Sequence, residues 1–560
     1  MKRIELYTAK ENNKRSKHIA PFVLFSFLAL ALTFASCKKT TDDSTTPVEQ
    51  TYHLNVSQST IQAPSSAGTV TNVTVDANAD WTVTVPTGVD WLEVNKTSGT
   101  GDDAIQVKVS KENTTAAKRT ATITVALTNG KAPSKQITVE QDFTVLAQLS
   151  VDWKKLFGGN GNDYGYSIIK TTDGGYLLSG RTTSNNGDIT TTKGGIDMWV
   201  AKLDAAGAIT WQKSYGGSSD EYSVAAAATP DGGYVLTGFT LSNNTGDVGS
   251  NHGSTDFWVI KINATGTLQW QKTLGGTGDD RPNAITVTTD GRIAVAGFTN
   301  SNNGDVSGNH GSQDMWVVVL DNATGNLLSK KTIGGSGDES ANAIAPAPDG
   351  GLYVGGTTAS NGSGDVGTSK GNNDFWVCQL DHNLSIVWKN NFGGSNNEYL
   401  NAIAVSPNNS LIVAGSTKSN NSGDVGPATG SEDMWIVRIN ATNGALLSQK
   451  VLGGNAVDVA KGLLVRPNGT MAVAGYTYSN NSGDVEANHG AGEFWVVGLS
   501  ANNSVIYKKA LGGDNEDLAF SIAEGAQGFA VAGYTLSKDS GDVGTSRGNS
   551  DIWVVKLKDE

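Results

Sequence analysis

The sequence predicts an all-β protein, a small antiparallel β-sandwich followed by a seven-bladed β-propeller. Three observations carry that prediction. A stretch typified by Trp270–Leu328 recurs seven times, with copies beginning at Trp153, Trp211, Trp270, Ser329, Trp388, Ser448 and Tyr507. The step is about 59 residues, and self-similarity at such a period marks a repeat architecture. Each copy holds four short apolar runs separated by Gly, Asn and Asp clusters, the pattern of a four-stranded blade. Upstream, residues 51–141 alternate polar and apolar at period two, as in TNVTVDA and DWTVTV.

The composition agrees. Glycine is abundant at 69 residues and charged residues make up only 17%, which suits a turn-rich extracellular β protein. A net charge of −13 excludes the clustered positive surface that nucleic acid needs. Cys37 and Cys378 are the only cysteines, so no disulfide framework is available. Cys378 lies in the apolar run FWVCQL and reads as a small buried hydrophobe.

In chain order, residues 1–36 read as a signal peptide. Lys2, Arg3, Lys10, Lys14, Arg15 and Lys17 precede an apolar run from Phe22 to Phe34. That run is short for a membrane span of about 20 residues but suits a secretory segment. Ala35 and Ser36 then precede Cys37. The arrangement resembles a bacterial lipoprotein signal, which implies lipidation of Cys37 and an outer-membrane or cell-surface location, anchored by the lipid alone. An ordinary signal peptide with an incidental cysteine is the alternative. Residues 37–50 are polar and aperiodic, a flexible tether. Lys38-Lys39 with Asp42-Asp43 is similar to the charged export signals of Bacteroidetes surface lipoproteins.

Residues 51–141 carry Ala79-Asp80-Trp81, Asp90-Trp91-Leu92, Gly99 followed by Gly101, Asn113 six residues before Arg119, and a closing Glu140-Gln141. In this order and spacing they resemble the BACON domain, a module of Bacteroidetes proteins. The resemblance implies carbohydrate or mucin binding, with Trp81 and Trp91 as candidate platforms. Core filling is the competing role for both rings, and a spacer holding the larger domain off the membrane is a third role for the module.

Residues 142–560 hold the repeats, which resemble bacterial β-propeller repeats of the type W-x-K-x-x-G-G…D-G-G…G-D…D-x-W-V. The first strand of the first copy (DWKKLFGG) has no predecessor and the fourth of the last (DIWVVKL) has no successor. Pairing them closes the ring and removes two free edges. The Ala-rich second strand of each copy then lies innermost.

Several columns run through all copies. Trp199, Trp258, Trp316, Trp376, Trp435, Trp495 and Trp553 read as packing between blades. Acids stand two residues before each Trp, after each Gly-Gly (Asp163 and its counterparts), and in the long loop at Asp188, Asp247, Asp305, Asp365, Asp424, Asp484 and Asp542. Carboxylates in Asn/Gly-rich turns accept backbone N–H bonds. The loop series is also a candidate calcium set, because calcium wants hard oxygen ligands. No copy has the dense D-x-[DN]-x-[DN]-G spacing. Four residues before the Asp-x-Trp acid, Lys193, His252, His310, Lys370, Thr429, His489 and Arg547 alternate. Exchange of His with Lys and Arg argues for a paired donor rather than a zinc ligand.

The long loops share one face, where function concentrates. There the residue after the Gly-Gly acid varies: Tyr164, Tyr222, Arg281, Ser340, Tyr399, Val459 and Leu518. Variation inside a regular repeat makes Tyr164, Tyr222, Arg281 and Tyr399 candidate ligand contacts. The sequence has no H-E-x-x-H pair or P-loop, and no enzyme is expected. The expected function is a non-catalytic, monomeric, surface-anchored binder of glycan or mucin with no cofactor beyond possible calcium. A scaffold for envelope proteins and a propeller glycoside hydrolase or lyase are the alternatives.

Overall fold

A computed structural model describes residues 50–113, 117–143 and 146–559. The signal segment, Cys37 and residues 38–49 of the tether lie outside the described residues. Those described contain strands and no helix.

Alternation in the first domain builds two facing sheets. One orders Leu54–Val56, Val70–Ala77, Asp103–Val109 and Leu92–Val94; the other orders Thr60–Ala63, Lys135–Gln141, Arg119–Leu127, Asp80–Thr84 and Ser98–Thr100. All pairings are antiparallel except Thr60–Ala63 with Lys135–Gln141, which run parallel. One phase of each strand is buried: Val73 and Val75, Trp81 and Val83, Ile105 and Val107, Ile123 and Val125. A polar staple closes one end. Arg119 Nε donates to Gln141 Oε1 (2.7 Å), Gln141 Nε2 donates to the Ser65 carbonyl (2.8 Å), and Asn113 Nδ2 donates to the Gln141 carbonyl (3.3 Å).

Seven four-stranded antiparallel sheets follow. The first orders Asp163–Lys170, Tyr176–Thr182, Asp197–Leu203 and Ile209–Tyr215. Each sheet is offset by one strand from the sequence copy: the Trp211 strand, which opens the second copy, forms the outer edge of the first sheet. The offset leaves the seventh sheet one strand short at its edge, and Leu149–Phe157 fills it. This strand pairs antiparallel with Asp551–Asp559, from Leu149↔Asp559 to Phe157↔Ile552. One sheet therefore joins the two ends of the repeat region, so that neither end strand is left unpaired.

The turns joining inner and second strands need a left-handed residue. Gly174, Gly232, Gly291, Gly350 and Gly469 supply it at φ 82–88°. In the fifth copy Asn409 takes that place at φ 57°, a conformation asparagine tolerates.

The third strand of each of the first four sheets and of the sixth is buried along its whole length, and its Trp reaches the neighbouring sheet. Phe257 lies 4.7 Å from Trp316, Phe375 4.7 Å from Trp435, and Phe494 4.6 Å from Trp553, each pair spanning two sheets. Cys378 is fully buried in one such layer, and burial pushes its thiol up. Residues His53–Glu560 form one unit, in which Lys450 Nζ of the fifth sheet reaches Glu112 Oε2 of the sandwich at 3.3 Å.

Candidate ligand-binding site

The acids after Gly-Gly are buried keystones. Glu221 Oε2 accepts from the Gly217 N–H (2.6 Å) and its Oε1 from Thr240 Oγ1 (2.6 Å). The same glycine bond recurs at Asp163, Asp280, Glu339, Glu398, Asp458 and Asp517. The Thr partner and a Ser two residues on form a T-x-S signature ending every second strand (Thr182/Ser184 through Thr535/Ser537). It was legible in the sequence as a column but is recognisable as the acid's partner only across the sheet.

The acids before Trp are also buried, and each accepts the N–H of the residue four before it. Lys193, Lys370 and Arg547, in the column expected to hold a paired donor, reach across to Asp247, Asp424 and Asp188 of the next sheet. His252, His310 and His489 instead turn back on the acid of their own loop at 2.8–3.0 Å.

The loop aspartates proposed for calcium are held by backbone and cations. Each of the seven gives its N–H to the first Gly-Gly carbonyl, as Asp247 does to Gly216 (2.9 Å). Asp188, Asp247, Asp305, Asp424 and Asp484 also accept from that glycine's N–H at 3.1–3.3 Å. At Asp188, Asp247 and Asp424 the arginine or lysine head occupies the carboxylate edge a calcium ion would need. Among the described residues, the one group of three metal-capable side chains within ligand distance is His53, Asp76 and Asp102, exposed on the sandwich.

Backbone space at the junctions is tight. A Cβ on Gly216 would lie 2.0 Å from Asp197 Oδ1 and 2.6 Å from Glu221 Oε2. Gly216→Ala is therefore expected to cost about 1–3 kcal/mol, the range of overpacked sites, read as a lower urea midpoint with unchanged slope.

The structure corrects one expectation. Trp81 is fully buried, with Nε1 donating to the Gly101 carbonyl at 2.9 Å, and Trp91 is buried beneath the Arg119 guanidinium at 4.6 Å. Neither offers a ring face to a sugar. The alternation that puts Val83 in the core puts Trp81 there too.

Tyr164, Tyr222 and Arg281, from three successive inner strands, come together, and residues of the second strands complete the assembly. The Arg181 guanidinium lies between the Tyr164 and Tyr222 rings at 4.5 and 4.8 Å. Tyr222 stacks on Phe239 at 4.5 Å, and Arg281 lies over Phe239 at 4.8 Å. Tyr534 meets Tyr164 edge-on at 4.6 Å. The result is a ladder of rings and guanidinium groups across four sheets, held by cation–π attraction. Tyr399 stands apart, with Lys418 Nζ 5.8 Å from its ring.

Beside the ladder the inner strands enclose an axial cavity of about 400 Å³. Every inner strand bulges at one residue, between Gly165/Ser167 in the first sheet and Ala460/Gly462 in the sixth. The extra residue is Tyr166, Val224, Asn283, Asn342, Asn401, Lys461 or Phe520, and all seven line the cavity. A bulge re-aims one side chain out of the alternating pattern. Sequence reasoning missed this column, although it varies as strongly as the one it chose. One arc is polar. Asn283 Nδ2 donates to Asn342 Oδ1 (3.1 Å), Asn342 Nδ2 to the Leu400 carbonyl (2.9 Å), Asn401 Nδ2 to the Ala460 carbonyl (2.9 Å) and Lys461 Nζ to Asn401 Oδ1 (3.2 Å). The opposite arc is apolar, with Tyr166 and Phe520 at 5.2 Å.

Comparison with known proteins matches residues 79–142 to the BACON family, described as "Putative binding domain, N-terminal". A curated relative, "Regulatory protein FlaEY" of Caulobacter vibrioides, is 22% identical over 427 residues, covering 72% of this chain; the chain spans 41% of that relative's length. Among solved structures, a Bacteroides ovatus GH5 xyloglucanase in complex with a heptasaccharide is 21% identical over 22% of this chain and 28% of its own, at a TM-score of 0.15. Quinohemoprotein alcohol dehydrogenase from Comamonas testosteroni is 10% identical over 73% of this chain and 76% of its own, at a TM-score of 0.38. Likenesses at these scores carry no argument about activity. The family match covers residues 79–142 of the sandwich, and its description fits binding.

Proposed function

We propose that this protein is a non-catalytic binder of carbohydrate or mucin, held at the outer membrane or cell surface through a lipid on Cys37. The observation that carries the reading is the ring-and-guanidinium ladder at the edge of the axial cavity. Sugars bind proteins through apolar contact with aromatic side chains and hydroxyls bonded to planar polar groups, and the half-buried Tyr166 and Phe520 beside the ladder, its guanidinium groups and the asparagine arc offer both. The cavity lining offers rings, amides, hydroxyls and one ammonium and contains no carboxylate, whereas glycoside cleavage ordinarily needs a pair of them. The sandwich match to a binding family supports the same role.

A polysaccharide and mucin array tests it. The full chain is expected to bind, and Arg181→Ala and Tyr222→Ala are each expected to weaken binding about tenfold, equivalent to about 1.4 kcal/mol. An array without signal, or one on which both variants bind like the parent, would overturn the proposal.

A further inference from the structure

The chain carries 54 acidic residues against 41 basic ones, yet the axial cavity is lined by one lysine and no carboxylate. Lys461 has no carboxylate within ion-pair distance among the described residues. Its side-chain partner is the neutral Asn401 oxygen at 3.2 Å, which leaves ammonium protons free to donate. Across the cavity Arg181 lies 5.8 Å from the Tyr166 ring and likewise has no carboxylate partner among the described residues. The nearby acids are already engaged. Asp279 faces Arg281 at 3.8 Å, Glu432 faces Lys418 at 3.3 Å, and Glu516 accepts from Tyr478 and Tyr534. Burial holds the Lys461 ammonium below its ordinary pKa, and an anion beside it would relieve that cost.

Sequence and backbone place this cation deliberately. The bulge that presents asparagine in the third, fourth and fifth sheets presents lysine in the sixth. Phe520, the next residue round the axis, adds a ring, and the volume falls in the range of about 300–1,000 Å³ typical of small-ligand pockets.

We infer that the axial cavity takes a carboxylate-bearing sugar, a uronic- or sialic-acid residue, with its carboxylate on Lys461 and its ring against Phe520 and Tyr166. The inference rests on the glycan-binding reading and names the ligand class for the same site. One ammonium matches one negative charge, and the amides beside it suit the sugar hydroxyls.

Calorimetry on the full chain tests it with two matched pairs: oligogalacturonate against its methyl ester, and sialyllactose against lactose. At least one acidic member is expected to bind ten times or more tighter than its neutral partner, with a preference that shrinks as salt rises. The pair that shows it identifies the acid. Lys461→Met keeps the stem and removes the charge, and it is expected to erase the preference while leaving residual neutral binding. Lys461→Arg is expected to keep it, and melting temperatures of both variants report folding. Equal binding of acidic and neutral members while other array glycans bind would overturn this inference and leave the glycan reading standing. Preference retained in Lys461→Met, or tighter binding of a sulfated oligosaccharide than of either carboxylate, would overturn it as well. Absence of binding to any glycan overturns the glycan reading, and the inference falls with it.

Discussion

Replacing Trp376 with alanine is expected to cost about 3–5 kcal/mol, the range for truncating a fully buried large aromatic side chain. The indole packs in a layer shared by two sheets, with Ala294, Ala296, Met315 and Val317 from one and Leu352, Val354 and Cys378 from the other. Its removal opens a cavity between rigid sheets that cannot slide together, because each is fixed on its far side by the same packing. A typical domain is stable by only about 5–15 kcal/mol, so the loss is a large share of the whole. The size of the effect comes from shape rather than hydrogen bonding: Trp376 Nε1 is buried without a partner, whereas Trp199 Nε1 donates to Gln212 at 2.9 Å. Trp376→Phe keeps most of the apolar area and gives up no bond, and is expected to lose less than half as much. Equilibrium urea unfolding of both variants checks this. A Trp376→Ala loss below about 1 kcal/mol, the level of an ordinary surface change, would show that the column does not hold the sheets together.

Much of the fold was legible because seven copies state the same pattern. Alternation in each run, turn glycines at fixed offsets and the unmatched runs at the two ends together imply the pairing of Leu149–Phe157 with Asp551–Asp559. The site was legible only in part. Tyr164, Tyr222 and Arg281 stand out because they vary within an otherwise constant repeat. Their partners Arg181 and Phe239 are cross-strand neighbours, Tyr164↔Arg181 and Tyr222↔Phe239, and pairing them requires the register. Asn283, Asn342, Asn401 and Lys461 were hidden by the bulge. A period-two reading assigns such a residue to whichever face its count gives, and one extra residue changes the face. Trp81 shows the converse: its residue type offered a ligand platform and its strand phase offered core filling, and the buried ring takes the second role.

Stability is expected to be highest in mild acid and to fall as pH rises toward 8. At the junctions between sheets the acid before Trp and the acid after Gly-Gly crowd one glycine. Asp197 Oδ1 with Glu221 Oε2 at Gly216, and Asp256 Oδ1 with Asp280 Oδ2 at Gly275, show the arrangement. The second oxygen of the acid before Trp is buried without a hydrogen-bond partner in all seven sheets. Burial is the main force raising the pKa of Asp163, Asp197, Glu221, Asp256, Asp374, Asp433, Asp458, Glu493 and Asp517 above the ordinary carboxylate range. A carboxyl that holds its proton more tightly folded than unfolded stabilises the fold fully below its unfolded pKa. That stabilisation is lost as pH climbs through the folded value. The opposing acids are exposed ones such as Asp173, which Lys202 holds down to about 2, and these act only at lower pH. Melting temperature should therefore decline from about pH 4 to 8. The decline should persist in 1 M salt, which screens exposed charges far more than buried ones. In Asp197→Asn the amide nitrogen takes the place of the unpartnered oxygen and can donate to Glu221. That variant is expected to melt about 2–4 °C higher at pH 8, corresponding to about 1 kcal/mol, and to show a shallower pH slope. A flat or rising profile for the parent, or an unchanged slope in the variant, would mean that these carboxyls stay ionised at the junctions and that some other cation balances them.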